Sequence, residues 1–518
     1  MYIIKQLILQ NFKRFRYLSI ELDKEINIFI GDNESGKSTI LQAVELVARG
    51  SRSRIEEIGL GRLFNVQAIE DFMQGNRSME NLPEMRVELY LSCYDIDLEG
   101  RNNLNHDHRA NGIKMLVKPD DRFSPQIQQI LADPDALFPL EYYCIEFDTF
   151  AGRPYNTHNK WIKSVFIDNS QIGSPYAMKE YVRRIYAGKV NETDRINNRH
   201  AYHVSKTDFQ RNVLDQYSAS IEPYKFTIRE SSEDNLETDI SLLDINIPIE
   251  NKGTGEQCFI KTDLALNNNV NNIDIVLIEE PETHLCYTKT LKLIEKIKQS
   301  QNRQLFITTH SDLICTRLDL TKCVLLNSSS SNATSFSSLS NETAKFFMKA
   351  PDNNMLQFVL SKKVILVEGD AEFILMEAMF RNTLHKNLSD SEIGVIAVDG
   401  KCFKRYLEIA KLLNIRVAVI TDNDGNFESN ITNNYADFIT PSTRVFSDPK
   451  DARFTFEVCV EADNTAMLAQ LFNRRHTNTV LEYMMANKAE AAYRILVSNG
   501  DNVIVPQYIQ DAIKWIDA

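Results

Sequence analysis

Eight residues near the start of the chain form a loop of the kind that binds phosphate groups. Gly31-Asp-Asn-Glu-Ser-Gly-Lys-Ser38 follows an apolar run, Ile26 to Ile30, and precedes a helical pattern from Thr39 to Arg49. Glycines let backbone N–H groups close around a phosphate, and the N-terminus of the following helix adds a favourable dipole. Lys37 would neutralise phosphate oxygens and Ser38 would hold Mg²⁺. The residues predicted to contact a nucleotide here are Asn33, Gly36, Lys37, Ser38 and Thr39.

Two carboxylates and a histidine follow later strand patterns. The mostly apolar segment Ile273 to Ile278 leads into Glu279 and Glu280, and the strand pattern from Gln304 ends at His310. One acid of the pair can bind Mg²⁺ while the next polarises a water molecule, and the histidine could contact a terminal phosphate. Together with the loop, this order predicts ATP hydrolysis.

A second set of acids lies in the C-terminal part of the chain. The apolar run Val364 to Val367 delivers Glu368, and a later strand pattern ends in the aspartates of Asp422-Asn-Asp424. Open parallel sheets place their ligands outside the carboxyl ends of such strands, so these acids are expected to converge. Carboxylates repel one another unless a divalent cation neutralises them, and oxygen ligands favour Mg²⁺ or Mn²⁺. This pattern predicts a metal site suited to breaking phosphodiester bonds.

The elements that must position these residues indicate an α/β protein. Apolar and polar residues alternate over Tyr2 to Leu9 and again over Met85 to Ser92, as in half-buried antiparallel strands. The region from Pro175 to Tyr217 has helical spacing and several arginines, which predicts a helical insertion with either a basic or an ordinary solvated face. Ser328 to Ser340, rich in Ser and Asn, predicts a linker or an exposed loop, with a domain boundary nearby.

Length and composition set wider limits. A chain of 518 residues is expected to form two or more domains. The net charge of −13 disfavours general coating of nucleic acid, although an acidic total can conceal a basic groove. Eight cysteines without a Cys-x-x-Cys pair predict reduced core residues, and no apolar run reaches transmembrane length. We therefore expect a cytoplasmic protein with no membrane contact.

Residues 1 to about 325 resemble ABC-type ATPases of the SMC, RecF and OLD (overcoming lysogenization defect) group. Gly253-Thr-Gly-Glu-Gln257 is similar to their signature motif, which assigns nucleotide contacts to Thr254, Gly255 and Glu256. The resemblance makes Glu279 the Mg²⁺ ligand, where many relatives have Asp, and Glu280 and His310 the catalytic carboxylate and switch histidine. It also implies a dimer, because the signature loop of one subunit closes the ATP site of another. Gln67 and Gln74 are both candidates for the Q-loop glutamine.

Residues 362 to 518 resemble a Toprim domain, and the order ATPase then Toprim is similar to OLD-family nucleases. The resemblance implies metal ligation by Glu368, Glu372, Asp422 and Asp424, although the family often has Asp at the second of these positions. Glu457 resembles a later acidic ligand, with Glu461 as its competitor. Lys488 resembles a lysine that stabilises charge on the phosphate; the alternative is an ordinary surface helix residue.

These observations define a predicted domain plan and function. The plan is an ABC ATPase over residues 1–170 and 226–345, a helical insertion over 171–225 that could carry dimer contacts, and a Toprim domain over 346–518. The predicted function is an ATP-binding, metal-dependent DNA endonuclease of OLD type that acts in anti-phage defence and forms a homodimer or higher oligomer through its ATPase. Some relatives act with a helicase or a retron reverse transcriptase and its DNA. The alternatives are a RecF-like DNA-repair ATPase with a non-catalytic Toprim domain and an RNA-cleaving toxin.

The phosphate loop gives a direct test. Lys37→Ala removes a charge-assisted contact to phosphate and is expected to weaken ATP binding by about 1.5 to 3 kcal/mol. Equilibrium titration with a fluorescent ATP analogue measures the change. Unchanged affinity would contradict the assignment of the loop.

Overall fold

The computed structural model describes residues 2–105, 108–133, 135–168, 182–183, 185–187, 189–218, 224–228, 236–266, 273–300, 303–327, 332–349, 354–398, 400–472 and 479–518. The chain divides into two compact units. The first comprises Met1–His310 and Lys322–Ser335, and the second comprises Ser311–Thr321 and Phe336–Ala518. The finer boundaries predicted from the sequence stay predictions.

The first unit holds fourteen of the described strands and ten of the described helices. Its strands are β1 (Ile4–Phe12), β2 (Phe15–Glu21), β3 (Ile26–Gly31), β4 (Met85–Leu91), β5 (Glu99–Gly100), β6 (Ala110–Pro119), β7 (Tyr143–Thr149), β8 (Ser164–Asp168), β9 (Leu243–Asp244), β10 (Ile247–Pro248), β11 (Ile275–Glu279), β12 (Gln304–Thr308), β13 (Cys323–Leu326) and β14 (Ala333–Ser335). Its helices are α1 (Lys37–Arg49), α2 (Arg52–Ile58), α3 (Leu60–Leu63), α4 (Val66–Gln74), α5 (Ser124–Leu131), α6 (Glu192–Phe209), α7 (Asp215–Ser218), α8 (Leu236–Asp239), α9 (Thr254–Leu266) and α10 (Tyr287–Gln299).

Two sheets of the first unit enclose its main core. One is antiparallel, in the order β2-β1-β4-β6-β5, with β7 also paired to β6. The other has the order β14-β13-β3-β12-β11-β8, and all its neighbours are parallel except β13 and β14. Helix α1 contributes Ile40, Leu41 and Val44 to the core between them. The central strands β3, β11 and β12 are buried along most of their length, which explains their nearly continuous apolar sequences.

The second unit is built on a four-stranded parallel sheet in the order β16-β15-β17-β18. Its strands are β15 (Lys363–Val367), β16 (Ile393–Ala397), β17 (Arg416–Ile420) and β18 (Thr443–Phe446). Its helices are α11 (Asp312–Leu318), α12 (Asn341–Lys349), α13 (Met355–Leu360), α14 (Asp370–Leu384), α15 (Phe403–Leu413), α16 (Phe456–Leu471), α17 (Val480–Ala486), α18 (Lys488–Asn499) and α19 (Gln507–Asp517). The amphipathic helix α19 buries Ile509, Ile513 and Ile516 in the core.

Two sequence predictions need correction or refinement. The predicted linker Ser328 to Ser340 contains β14, which pairs with β13 because Ala333 to Ser335 can continue the sheet at its edge; residues 328–331 lie outside the described range. In the predicted helical insertion, α6 confirms helix over its later part. Residues 175–181, 184 and 188 of that region lie outside the described residues.

The arginines of this insertion do not form a simple basic face. The buried carboxylate of Glu237 pairs with Arg183 at 3.1 Å, Arg195 at 2.8 Å and Arg199 at 3.3 Å. The guanidinium groups lower the pKa of Glu237 despite its burial, so the acid is held ionised. Part of the local positive charge therefore joins α6 to α8.

No helix in the described part of the chain is long and apolar enough to cross a membrane.

Candidate functional site

Strand order brings the predicted nucleotide residues of the first unit to one edge of its parallel sheet. The phosphate loop follows β3, His310 follows β12, and Glu279 ends β11, and these three strands are adjacent. Asp168, which the sequence analysis did not single out, ends β8 and stands in register with Glu279. Parallel neighbours point the same way, so residues from distant parts of the chain meet at their carboxyl ends.

The lysine of the phosphate loop donates hydrogen bonds to the backbone of the same loop. The Lys37 ammonium donates to the carbonyl oxygens of Gly31 and Asp32, both at 2.8 Å, and burial lowers its pKa. Gly36 has a φ of 99°, and a Cβ there would meet the Phe15 ring at 2.5 Å, so only glycine fits this position. A bound phosphate would replace the two carbonyls as the partner of Lys37.

The residues assigned to Mg²⁺ in this site lie side by side. The Ser38 side chain forms a hydrogen bond with Glu279, and burial raises the pKa of that carboxyl. The nearby charges of Asp168 and Glu280 raise it further, whereas Lys13 opposes them. A hydroxyl and a carboxylate next to a phosphate loop are a donor set that fits Mg²⁺ held jointly with a triphosphate.

The predicted catalytic pair is also brought together. His310 Nε2 lies 3.7 Å from Glu280 Oε1, and Glu280 adopts a left-handed φ of 44°. Burial and the Lys37 charge lower the pKa of His310. Burial and the Lys37 charge thus outweigh the nearby Glu280 carboxylate, and the neutral imidazole is favoured.

Glu282 is a site residue that sequence reasoning missed. Its Oε1 accepts hydrogen bonds from Thr309 Oγ1 at 2.6 Å and from the His310 N–H at 2.8 Å. Its Oε2 is buried and finds no hydrogen-bond partner in the part of the chain that the structure describes, and burial raises the pKa of this carboxyl. Glu282 thus holds the backbone that carries His310. The only signal in the sequence was that Glu282 lies within Pro281 to Leu285, a segment that resembles the D-loop of ABC-type ATPases.

The predicted signature motif begins α9. Gly253 and Thr254 are exposed, whereas Glu256 pairs with Lys289 and the Gln257 side chain donates to the Lys252 carbonyl at 2.8 Å. A Cβ on Gly255 would lie 2.2 Å from the carbonyl oxygen of His284, so the motif packs directly on the D-loop backbone. The exposed start of the motif leaves it accessible to another molecule.

Neither candidate for the Q-loop glutamine ends a strand of the parallel sheet. Gln67 and Gln74 both lie in α4, and Gln67 Nε2 donates to Asp71 Oδ1 at 2.9 Å within that helix. The Q-loop residue stays unassigned.

The second unit gathers its acids at the carboxyl edge of its own sheet. Glu368 follows β15 and Asp422 follows the adjacent β17, and Glu368 Oε2 accepts from Thr421 Oγ1 at 3.2 Å and from the Asp422 N–H at 3.5 Å. Asp422 Oδ1 accepts from the Phe456 N–H at 2.8 Å, at the start of α16. The predicted convergence of Glu368 with Asp422 is therefore present.

Three carboxyls of this cluster are buried and disturb one another. The exposed fractions of Glu372, Asp422 and Glu457 are 7%, 8% and 2%. Burial, with the charges of Asp422, Glu457 and Glu368, raises the pKa of Glu372 to about 8. Burial, Glu368 and Glu457 raise the pKa of Asp422 to about 7. Lys488 opposes the shift of Asp422 but does not cancel it, so burial and mutual repulsion dominate these carboxyls.

Two lysines stand at the rim of the cluster. Lys488 Nζ pairs with Glu457 Oε1 at 3.1 Å, and Lys401, which the sequence analysis missed, pairs with Asp424. Of the two competing acids on α16, Glu457 joins the cluster by its influence on Asp422 and Glu372, whereas Glu461 is not among the groups that shift them. Lys401 follows Gly400, whose N–H donates to the Glu368 carbonyl at 3.1 Å.

The loop that carries the two aspartates is fixed by the residue between them. The buried Asn423 side chain donates to the carbonyl oxygens of Asp448 at 2.7 Å and Lys450 at 3.1 Å, and its Oδ1 accepts from the Gly425 N–H at 2.8 Å. Asp424 has a left-handed φ of 47° and points outward, exposed. Asn423 therefore joins the end of β17 to the segment that follows β18.

The donor chemistry of this cluster fits a divalent cation. Glu457 Oε2 is buried and has no hydrogen-bond partner among the described residues, whereas Oε1 pairs with Lys488. As the side chains stand, no three His, Cys, Asp or Glu residues in the described ranges are arranged to hold an ion. In this structure Asp424 and Glu457 pair with lysines, and Asp422 accepts a hydrogen bond from a backbone N–H. Binding of Mg²⁺ or Mn²⁺ would require these side chains to exchange those partners for the ion.

Two family models match this chain, one over each of the two parts that carry these residues. The model of the AAA ATPase domain family matches residues 1–121 and 159–315, more than half of the chain, and the model described as overcoming lysogenization defect protein-like, TOPRIM domain, matches residues 359–424. The chain therefore belongs to the AAA ATPase domain family. More particularly, it is an ATPase joined to a Toprim domain of the OLD type, which confirms the predicted resemblance and fold class.

Curated relatives match only in part. A DNA replication and repair protein RecF of Clostridium kluyveri is 48% identical over 190 residues, which cover 33% of this chain and 49% of that protein. The RecF of Clostridium tetani is 44% identical over 51 residues, or 10% of this chain and 14% of that protein. The chain thus spans about half the length of the first relative and less of the second.

Solved structures with similar elements have low scores. The Smc head domain from Pyrococcus furiosus, bound to a ScpA domain, is 13% identical, covers 68% of this chain and 99% of its own, and has a TM-score of 0.36. RecF of the RecFOR pathway is 11% identical, covers 64% and 97%, and scores 0.34. The C-terminal region of the Burkholderia pseudomallei OLD protein is 19% identical, covers 30% and 97%, and scores 0.24. Because these TM-scores are low, the function of the chain is inferred from its own residues.

The role of Glu282 can be tested by comparing Ala and Gln substitutions. Glu282→Ala leaves Thr309 Oγ1 and the His310 N–H without their acceptor, so the free energy of unfolding should fall by about 1 to 3 kcal/mol and ATP turnover should fall with it. Glu282→Gln keeps an acceptor oxygen and should retain most of both. Urea unfolding and a phosphate-release assay measure the two effects. Equal behaviour of the two variants would refute the positioning role.

The buried acids predict an unusual pH dependence of stability in chelator. The folded-state pKa of Glu372, about 8, lies above its ordinary value of 4.5. Its contribution to stability is therefore full below the ordinary value and is lost as the pH rises through the folded value. Without divalent ions, the free energy of unfolding should fall between about pH 5 and pH 8, less steeply in Glu372→Gln.

Glu461→Gln, on α16 but not among the groups that shift these acids, is the matched control and should follow the parent protein. Added Mg²⁺ should restore stability at the alkaline end for the parent and the control, but less for Glu372→Gln. A stability that rises over this range with the same slope in all three proteins would contradict the prediction.

Proposed function

We propose that this protein is an ATP-binding, divalent-metal-dependent DNA endonuclease of the OLD type, in which the ATPase regulates cleavage. The observation that carries the proposal is the cluster of Glu368, Glu372, Asp422 and Glu457 at one sheet edge. Burying several like charges together destabilises the fold, and a sheet edge with no ligand to bind would gain nothing in return. The cluster is explained if these acids bind the cation that a cleavage reaction requires.

Each residue of the cluster has a proposed part in the reaction. Glu368, Glu372, Asp422, Asp424 and Glu457 would hold Mg²⁺ or Mn²⁺, which when bound supplies an activated water and stabilises the leaving oxygen. Lys488 is held next to Glu457 and would offer its charge to the phosphate as the carboxylate turns to the ion. The burial of three of the acids keeps bulk water from the cluster.

The ATPase is proposed to control this chemistry through its oligomeric state. Ser38 and Glu279 would hold Mg²⁺ with ATP, Glu280 would orient the attacking water, and His310 would contact the terminal phosphate. The exposed Thr254 at the start of α9 supports a site that a second subunit completes. A homodimer or higher oligomer formed by ATP would then set when DNA is cut.

The biological setting is proposed from the OLD resemblance. A nuclease whose cleavage is regulated by nucleotide binding is suited to defence against phage in the cytoplasm. A helicase or a retron reverse transcriptase with its DNA is the kind of partner that such an ATPase would serve.

The similarity to RecF proteins favours a second candidate. A DNA-repair ATPase with an inert Toprim domain would share the nucleotide site and bind DNA without cutting it. An RNA-cleaving toxin is the third candidate, because the metal chemistry does not itself distinguish ribose from deoxyribose. The first candidate cuts DNA, the second binds DNA without cutting it, and the third cuts RNA.

One cleavage experiment separates these candidates. Purified protein is incubated with supercoiled plasmid, linear DNA and tRNA, in Mg²⁺, Mn²⁺ or chelator, with and without ATP. We expect metal-dependent nicking or cutting of DNA that Asp422→Asn and Glu368→Ala reduce by at least about a thousandfold, since several interdependent ligands are lost from one reaction. ATP affinity should not change in either variant.

Glu461→Gln is again the matched control and should cut like the parent. DNA binding without cutting in any metal would favour the RecF-like candidate, and cutting of tRNA alone would favour the toxin. Full nicking by Asp422→Asn would remove the catalytic assignment.

A further inference from the structure

Two exposed phenylalanine rings stand at the same edge as the acid cluster of the second unit. Phe373 is 50% exposed and lies in the first turn of α14, one residue after Glu372. Phe454 is 39% exposed, and its carbonyl accepts from the Asp424 N–H at 3.2 Å. The backbone therefore places each ring next to a predicted metal ligand: Phe373 next to Glu372, and Phe454 next to Asp424.

The exposure of these rings contrasts with their surroundings. Phe456, two residues after Phe454, is 2% exposed and belongs to the core, while Glu372, directly before Phe373, is 7% exposed. The chain thus turns the acids inward and the neighbouring rings outward. Leaving a phenyl ring in water forgoes the free energy of burying it, so two at one edge suggest a ligand that covers them.

Positive charge completes this rim. Lys401 and Lys488, whose side chains are 45% and 54% exposed, pair with Asp424 and Glu457 and hold their ammonium groups beside the cluster. Rings that offer a flat apolar face, together with lysines that can meet phosphates, are the two components with which proteins bind single strands. The complementary ligand carries negative charge at regular intervals and flat faces between the charges.

We propose that Phe373, Phe454, Lys401 and Lys488 form a rim that holds an unpaired nucleic-acid strand, with bases stacked on the rings and phosphates on the lysines. This inference rests on the proposed nuclease function and names its substrate class: single-stranded DNA, or DNA with locally unpaired bases. In a duplex the base faces are already stacked on one another and are not available to a ring. An unpaired strand can also bend its phosphate toward recessed carboxyls.

Binding measured without cleavage tests the rim. Fluorescence anisotropy without ATP, in Ca²⁺ in place of Mg²⁺ and Mn²⁺ so that the acids hold an ion, compares a labelled single strand of DNA, the blunt duplex of the same sequence, and the corresponding single-stranded RNA. Phe373→Ala and Phe454→Ala are each expected to weaken single-strand binding about tenfold, because one stacked base is lost. Duplex affinity should change less than about twofold.

Conservative variants separate stacking from folding. Phe454→Trp and Phe373→Tyr keep a ring and should bind the single strand like the parent, whereas Phe→Leu at either position keeps apolar volume but should behave like Ala. Tyr493→Ala is the matched control, because Tyr493 is 56% exposed on the helix that begins at Lys488, away from these two rings in sequence. It should bind all three ligands like the parent. Equal losses on single-stranded RNA and DNA would support stacking, since the bases and not the sugars are held.

Two results would overturn the rim: equal loss on duplex and single strand, or no loss with any ring variant. Its failure is distinguishable from failure of the proposed function. If Asp422→Asn still nicks DNA, the catalytic assignment falls while the anisotropy result stands. If nicking requires Asp422 but the ring variants bind and nick a single strand like the parent, only the rim is refuted.

Discussion

Mutual repulsion among buried carboxylates is the constraint on which the second unit depends. Glu372, Asp422 and Glu457 are each at least nine-tenths buried, and the pKa values of Glu372 and Asp422 are raised to about 8 and about 7. Such a group of charges is stable only with protons, lysines or a cation to balance it. The sheet of the second unit, its helices α14 and α16 and the loop around Asn423 all serve to hold these acids together against that repulsion.

The same arrangement of strands creates both sites. In each unit, adjacent parallel strands end at one edge, and polar residues from distant parts of the chain are placed there without a local motif joining them. In the first unit the edge carries a phosphate loop that supplies positive charge and N–H donors. In the second unit it carries acids. The first edge is thus suited to an anion and the second to a cation, although both have the same parallel geometry.

Sequence reasoning recovered the parts of each site that depend on local patterns. The phosphate loop, the acids after β11 and the Asp-x-Asp motif are short and directly follow apolar strands, so their placement at a sheet edge could be predicted. Asp168, Glu282 and Lys401 could not, because each acquires its role from a residue far along the chain. The choice of Glu457 over Glu461 likewise needed the packing of α16. The strand inside the Ser-rich segment was missed because composition outweighed the pairing that β13 offers.

The middle residue of the Asp-Asn-Asp sequence illustrates how much a motif of the form Asp-x-Asp conceals. Asn423 supplies N–H donors to carbonyls that follow β18 and an oxygen acceptor to its own turn, so both halves of its amide are in use. An aspartate there would keep the acceptor but lose the donors and add another negative charge. The letter x in this chain is therefore as chemically restricted as its acidic neighbours, and a library randomised at that codon should recover very few working clones.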